Sequence, residues 1–236
     1  MAKPELATGI PEPGTTVDGL DSLSREDLVT RCRSLRRDLD CREAMLRELQ
    51  HRAKNSLQLV TSMLRLQHHR IADPEARAAY DQTMHRVEVL AILYRQFHET
   101  RSEADVDLKR FAEEICETAI DNAGDLPAPV QVTVQAERLR TSLYTAMPFG
   151  LILNELVASG LRHAFGDAGR MEVRIEGGPG DQARLTVSDT GRALPAGFDA
   201  EADASTMLVE ALATQLGADL DISTLRGSSV TLTLKL

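Results

Sequence analysis

Apolar residues recur with alternating four- and three-residue spacing along one stretch: Leu28, Cys32, Leu35, Leu39, Leu46, Leu49, Ala53, Val60 and Leu64. This is the seam of a coiled coil, and it commits the chain to a long amphipathic helix that must bury one stripe against other helices. Arg42 puts charge at one seam position, and Ser56 with Leu57 marks a local slip. With Leu49 at d and Ala53 at a, His51 falls at f, the position farthest from a partner helix. A lone histidine is often a satisfied core residue, but this heptad frame places His51 in water. An imidazole free in water on a rigid helix can attack a phosphoryl group or receive one.

Charge is concentrated on the same helix. From Leu23 to Arg70 there are 11 Lys/Arg against 6 Asp/Glu, a net of +5 in a chain whose total is −9, which leaves −14 for the remainder. Arg47, Arg52, Lys54 and Arg65 lie within a few turns of His51. A solvated helix face with ordinary i,i+4 pairs would carry the same residues. The functional alternative is a positive field that favours a phosphoryl group and steers an acidic partner onto the helix.

A length of 236 residues suits two small domains, or one domain with a helical arm. Aromatic residues make up only 3% with no Trp, and the balance is acidic, so a nucleic-acid reader is not expected. No segment resembles a signal peptide, and no apolar run approaches the ~20 residues that span a bilayer. The expectation is a soluble, cytoplasmic chain without membrane contact. Cys32, Cys41 and Cys116 are too few and too scattered for a disulfide framework or a zinc site, and Cys32 reads as a small apolar filler in the seam. Residues 1–22, with Pro4, Pro11 and Pro13, read as a disordered arm and not as a sensory domain.

Ser24-Arg25-Glu26-Asp27 is a capping-box variant that opens the first helix, expected to run to about Arg70. Asp73-Pro74-Glu75 starts a second helix, whose Tyr80, Met84, Val87, Ala91 and Tyr94 repeat the four-and-three spacing. Such a hairpin cannot bury its apolar face alone, and two copies would make a four-helix bundle. Beyond Thr100 the pattern predicts a helix near 108–122, a strand at 130–134, an apolar helix from Met147 to Phe165, and strands at 171–175 and 183–187. A helix at 207–216 and strands near 220–223 and 230–234 complete the chain. Interleaved in this way, they suggest an α/β sandwich.

His51-Arg52-x-Lys54-Asn55-x-Leu57-Gln58, followed by Leu64-Arg65-Leu66-Gln67, resembles the phosphoacceptor box of the H-R-x-K-N class of bacterial two-component histidine kinases. The likeness continues through Arg86-Val87, Val106-Asp107-Leu108 and Asn154-Glu155-Leu156-Val157 and covers roughly residues 40–236. It implies that His51 is the phosphoacceptor, with Arg52, Lys54 and Asn55 around it. The second half is similar to the ATP-binding domain shared by gyrases, heat-shock chaperones and histidine kinases.

That resemblance also defines where the nucleotide would sit, and there this chain departs from the pattern. Glu155 matches the first pocket-facing position of a helix, and one turn later Ser159 stands where the family has a Mg²⁺-binding asparagine. Arg162 and His163 match positions that meet the nucleotide, although they also suit an ordinary polar helix end. In the adenine-reading Asp-x-Gly-x-Gly turn, Asp189 and Gly191 are kept and Ala193 replaces the second glycine. Ser205 stands where a lid glycine belongs, preceded by Asp199, Glu201 and Asp203.

The resulting expectation is an α plus α/β protein. An antiparallel hairpin (23–101) forms a dimeric four-helix bundle, followed by a degenerate ATPase-like α/β sandwich (102–236). The function expected is histidine phosphotransfer between receiver-domain aspartates through His51, without a cofactor and without a metal site. The alternatives are a histidine kinase that phosphorylates His51 with Mg–ATP, or a non-catalytic pseudokinase that regulates a receiver. Expected partners are response-regulator receiver domains and a second copy of the chain.

Overall fold

The computed structural model describes residues 24–68, 70–100, 106–124, 130–163, 169–191, 204–223 and 228–236. The expected arm at 1–22, together with Ala193, Asp199, Glu201 and Asp203, lies outside them, as do the side chains of Arg47, His51, Lys54 and His163. The chain divides into two compact units, residues 1–49 and 50–236.

The described part of the first unit is the opening of helix α1 (Arg25–His68). Its start follows from local chemistry. The Ser24 hydroxyl donates to the Asp27 carboxylate and accepts from the Asp27 amide, closing the capping box. Leu28, Leu35 and Leu39 are exposed on this segment, and Cys32 is a free, exposed thiol.

In the second unit, the remainder of α1 is followed by α2 (Pro74–Thr100). The Asp73 side chain accepts from the amides of Glu75 and Ala76, so the expected N-cap is in place with Pro74 at the first helical position. The inward face of α1 here runs through Ala53, Leu57, Thr61, Leu64 and His68, all half-buried. Val60, expected in the seam, is 43% exposed, beside Leu59, Met63 and Leu66. Two successive four-residue steps from Ala53, close to one turn each, carry the face onto Leu57 and Thr61 and leave Val60 to one side. A similar shift occurs on α2. The expected stripe through Tyr80, Met84 and Val87 is half-buried, while Glu88, Val89, Ile92, Leu93 and Gln96 are the buried set. The reason is that α2 meets three helices, α1, α3 and α4, and its deepest face is the one toward the last two.

The remaining elements are β1 (Val106–Asp107), α3 (Leu108–Ala123), β2 (Val130–Ala136), β3 (Arg140–Thr141), α4 (Leu143–His163), β4 (Gly169–Gly178), β5 (Gln182–Asp189), α5 (Ala204–Leu216), β6 (Asp219–Ser223) and β7 (Ser229–Lys235). One sheet has the order β2-β4-β5-β7-β6, with β2 and β4 parallel and the other neighbours antiparallel. A small ladder, β1 with β3, was not anticipated from the sequence. On β4, Met171, Val173 and Ile175 are buried while Arg174 and Glu176 face solvent, which makes a two-layer sandwich with one wet sheet face. Helices α3, α4 and α5 cover the other face. Phe111, Ile115, Phe149, Ile152, Leu153, Leu185 and Leu232 are fully buried, each contributing roughly 1.5–3 kcal/mol of burial. Val89, Ile92 and Leu93 of α2 belong to this same apolar cluster.

Helix α4 starts a turn earlier than its sequence pattern suggests. Ser142 caps it, accepting from the Thr145 amide at 3.3 Å, and Pro148 lies inside the helix. Helix α3 is capped by the Asp107 carboxylate and ends at Gly124, whose φ of +63° is in the region that favours glycine. Cys116 is buried in the core, and burial pushes its thiol up to about 12. No helix among the described residues is long and apolar enough to cross a membrane.

Candidate functional site

The segment that resembles a phosphoacceptor box, His51 to Gln58, lies on α1. Position 51 is helical, and it precedes Gln58 and Arg65 by seven and fourteen residues, about two and four turns, so it shares their side of the helix. Arg52 and Asn55 are exposed. The His51 and Lys54 side chains lie outside the described residues. Gln58 and Arg65 line a groove of about 530 Å³ whose other wall is Glu88, Ile92 and Arg95 of α2, with Thr118 of α3 at its end. His68 pairs with Asp81 at 3.0 Å, holding the end of α1 on α2.

A buried carboxylate organises the groove. Glu88 is 7% exposed, accepts from Arg65 Nη2 at 2.7 Å and from Asn122 Nδ2 at 2.7 Å, and so ties α1, α2 and α3 together. His85 sits a turn before it, half-buried, near Glu88, Asp81, Arg162 and Glu155. Burial lowers the pKa of its imidazole, and the neighbouring carboxylates offset this only in part.

The four residues assigned to the nucleotide helix have different surroundings. Glu155 is 3% exposed, and both its carboxylate oxygens are taken by Arg86 of α2, by Nε at 2.9 Å and Nη2 at 3.1 Å. This bidentate pair raises the pKa of the Arg86 guanidinium. Ser159, one turn on, is half-buried, and Arg162 is exposed. The His163 side chain lies outside the described residues.

At the end of β5, Asp189 is 8% exposed and its carboxylate is held from two sides. Oδ1 accepts from the Gly191 amide at 2.7 Å, and Oδ2 accepts from the Ser228 hydroxyl. The Asp189 amide donates to the Ser228 carbonyl at 2.9 Å, continuing the β5–β7 ladder into the turn. Two donors fixing one carboxylate leave it oriented as an acceptor for an amino group such as that of adenine. At the first turn of α5, the Ser205 hydroxyl is buried with no hydrogen-bond partner among the described residues. An unpartnered donor at a helix N-terminus suits an anionic oxygen.

These residues fit the adenine and anion ends of a nucleotide. They do not fit the family's Mg²⁺ position, because Ser159 offers a neutral hydroxyl and Glu155 is engaged by Arg86. Ser228, Arg86 as a partner of Glu155, and Glu88 are contributions that sequence reasoning missed. For Ser228 the available signal was faint: a hydroxyl just ahead of the alternating run Val230 to Leu234.

A family model described as "Histidine kinase" matches residues 48–123, a span that contains His51, α2 and α3. The chain is 31% identical over 202 residues to the blue-light-activated histidine kinase 2 of Erythrobacter litoralis, covering 80% of this chain and 56% of that protein. It is 30% identical over 200 residues to the sensor histidine kinase PdtaS of Mycolicibacterium smegmatis, covering 82% of this chain and 38% of the relative. The chain therefore spans about half, or less, of the length of these relatives. Among solved structures it is similar to the histidine kinase domain of the Erythrobacter litoralis EL346 blue-light-activated histidine kinase. That match has a TM-score of 0.61 and 28% identity, and covers 82% of this chain and 92% of that one.

Proposed function

This chain belongs to the histidine kinase family, and from that premise we propose that it works as a histidine kinase of two-component signalling, with His51 as the group phosphorylated from ATP. The observation that carries this reading is the Asp189 carboxylate, oriented by the Gly191 amide and the Ser228 hydroxyl at the end of β5. A chain that only relayed phosphoryl groups between aspartates would have no use for an adenine-reading acceptor. The relatives, which carry kinase names, also support a kinase over the phosphotransferase expected from the sequence.

In this reading Asp189 recognises the adenine amino group and Ser205 meets a phosphate oxygen at the start of α5. The His51 imidazole attacks the γ-phosphorus, the bond to the bridging oxygen breaks, and ADP leaves. Arg52 and Lys54 screen the phosphoryl charge, and Asn55 completes the box. Receiver domains take the phosphoryl group onward. The exposed Leu59, Met63 and Leu66 on α1 support a second copy of the chain as partner.

Incubation with ATP labelled at the γ-phosphate tests the proposal. Label should appear on the wild-type chain, vanish in His51→Ala, and fall steeply in Asp189→Asn. Equal labelling of wild type and His51→Ala would reject it. A phosphotransferase is the second reading, favoured by Ser159 at the Mg²⁺ position and by the engagement of Glu155 with Arg86. It expects label on His51 from a phosphorylated receiver domain and none from ATP.

A further inference from the structure

The resemblance gives Glu155 to the nucleotide side of α4, yet in this structure its carboxylate belongs to the acceptor hairpin. Both oxygens are bonded by Arg86, and the carboxylate is almost completely out of water, at 3% exposure. Both partners lie in the same compact unit, residues 50–236. The pair bridges 69 residues of sequence and joins α2, which packs on the acceptor helix, to α4.

The two ends of the bond are not equivalent. Arg86 is 29% exposed, so its charge can return to water at small cost. Glu155 cannot, because a carboxylate buried without a partner is strongly penalised. It therefore stays with Arg86 until another partner or solvent reaches it. Ser159 lies one turn along the same face of α4, so a nucleotide approaching that face would meet a helix whose only carboxylate there is already paired. The apolar contacts that hold α2 in place, Val89, Ile92 and Leu93, begin one turn after Arg86. A small shift of α2 thus acts on the pair directly.

We propose that Arg86 is a positioning residue and that its pair with Glu155 is the closed state of a latch. While Arg86 holds Glu155 against α2, the carboxylate is withheld from the nucleotide side of α4, and displacement of α2 releases it. This rests on the reading that α4 faces a nucleotide. Its consequence is that the position of the acceptor hairpin sets nucleotide affinity, and nucleotide binding in turn loosens the hairpin's second helix.

The test uses the full chain with Arg86→Lys and Arg86→Gln, checked for wild-type melting, and ATP binding measured by calorimetry. Lysine cannot reproduce the bidentate fork, and glutamine removes the charge. A binding-competent state populated more often raises apparent affinity, so both variants should bind ATP about tenfold more tightly than wild type. Unchanged or weaker binding, or no binding by any of the three proteins, overturns the latch. Should the variants fold poorly, hydrogen exchange on the wild type replaces them. Adding ATP should speed exchange of the α2 amides around Arg86, and unaltered exchange overturns the proposal. Tighter binding without label on His51 would reject the kinase reading and leave the latch standing. Label on His51 with equal affinity across the series would do the reverse.

Discussion

Arg65 of α1 and Glu88 of α2 meet at 2.7 Å across the hairpin, the arginine side chain 64% exposed and the glutamate side chain 8%. The Glu88 carboxylate also takes a hydrogen from Asn122 of α3, so one buried charge holds three helices. The asymmetry in exposure decides what substitution does. Losing Arg65 leaves a buried carboxylate with a single amide partner, whereas losing the carboxylate returns Arg65 to water.

Arg65→Ala should therefore destabilise the second unit by about 1–3 kcal/mol. Glu88→Leu should cost less, because it removes the desolvated charge itself, returns Arg65 to water and leaves only the half-buried Asn122 amide without this acceptor. Urea unfolding monitored by circular dichroism gives both values. The opposite order would mean that the pair is dominated by packing of the Glu88 methylenes.

His85 supplies a pH dependence. Its pKa is lowered below the ordinary 6.5 in the folded chain, chiefly by burial, with Glu88 and Asp81 opposing and Arg162 adding to the shift. The unfolded chain then binds the proton first as pH falls, so stability is full above about 6.5 and is lost as pH drops through the lowered folded value. The urea midpoint of the wild type should fall between neutral pH and mildly acidic pH, and fall less in His85→Gln. Parallel pH profiles for the two proteins would show that the loss comes from other groups.

Two glycines of α4 differ in what a methyl group would meet. At Gly150 it would run into the buried Phe111 ring, whereas at Gly160 it would meet only the flexible end of Met171. Alanine favours a helix interior by roughly 0.5–1 kcal/mol over glycine at either site. Overpacking against Phe111 costs about 1–3 kcal/mol, so Gly150→Ala should destabilise and Gly160→Ala should be close to neutral. Thermal melts of the two variants check the ranking.

Ser228 offers a test of the proposed nucleotide end that leaves His51 untouched. Ser228→Ala removes one of the two donors that orient Asp189. A hydrogen bond to a charged group is worth about 1.5–3 kcal/mol. Adenine-nucleotide affinity should fall by about tenfold or more, with the fold kept. Displacement of a fluorescent ATP analogue measures it, and unaltered affinity would mean that Asp189 is not the adenine acceptor.

Several features of this protein were legible because their physics is local. The starts of α1 and α2 are set by Ser24 with Asp27 and by Asp73, side chains that bond to amides within three residues. The alternation of Val130, Val132 and Val134 marks β2 because successive side chains on a strand point to opposite faces. The start of α4 is less legible: its strongly apolar run begins near Met147, whereas the Ser142 cap lies a turn earlier. The family resemblance too was legible, carried by an ordered pattern within eight residues, His51 to Gln58.

Tertiary structure alone decided which of two faces of a helix is inward and which charges meet. Nothing within a turn of Glu155 indicates that its partner is Arg86, 69 residues away, nor does the turn at Asp189 indicate that Ser228, 39 residues on, will complete it. The choice of Leu57 and Thr61 over Val60 as the inward residues of α1 is of the same kind. Apolar spacing shows that a helix has a face to bury, but the direction of that face depends on where α2, α3 and α4 dock. Docking is set by the summed packing of many side chains, and the desolvated carboxylates Glu88 and Glu155 then bond to the donors that packing brings within reach.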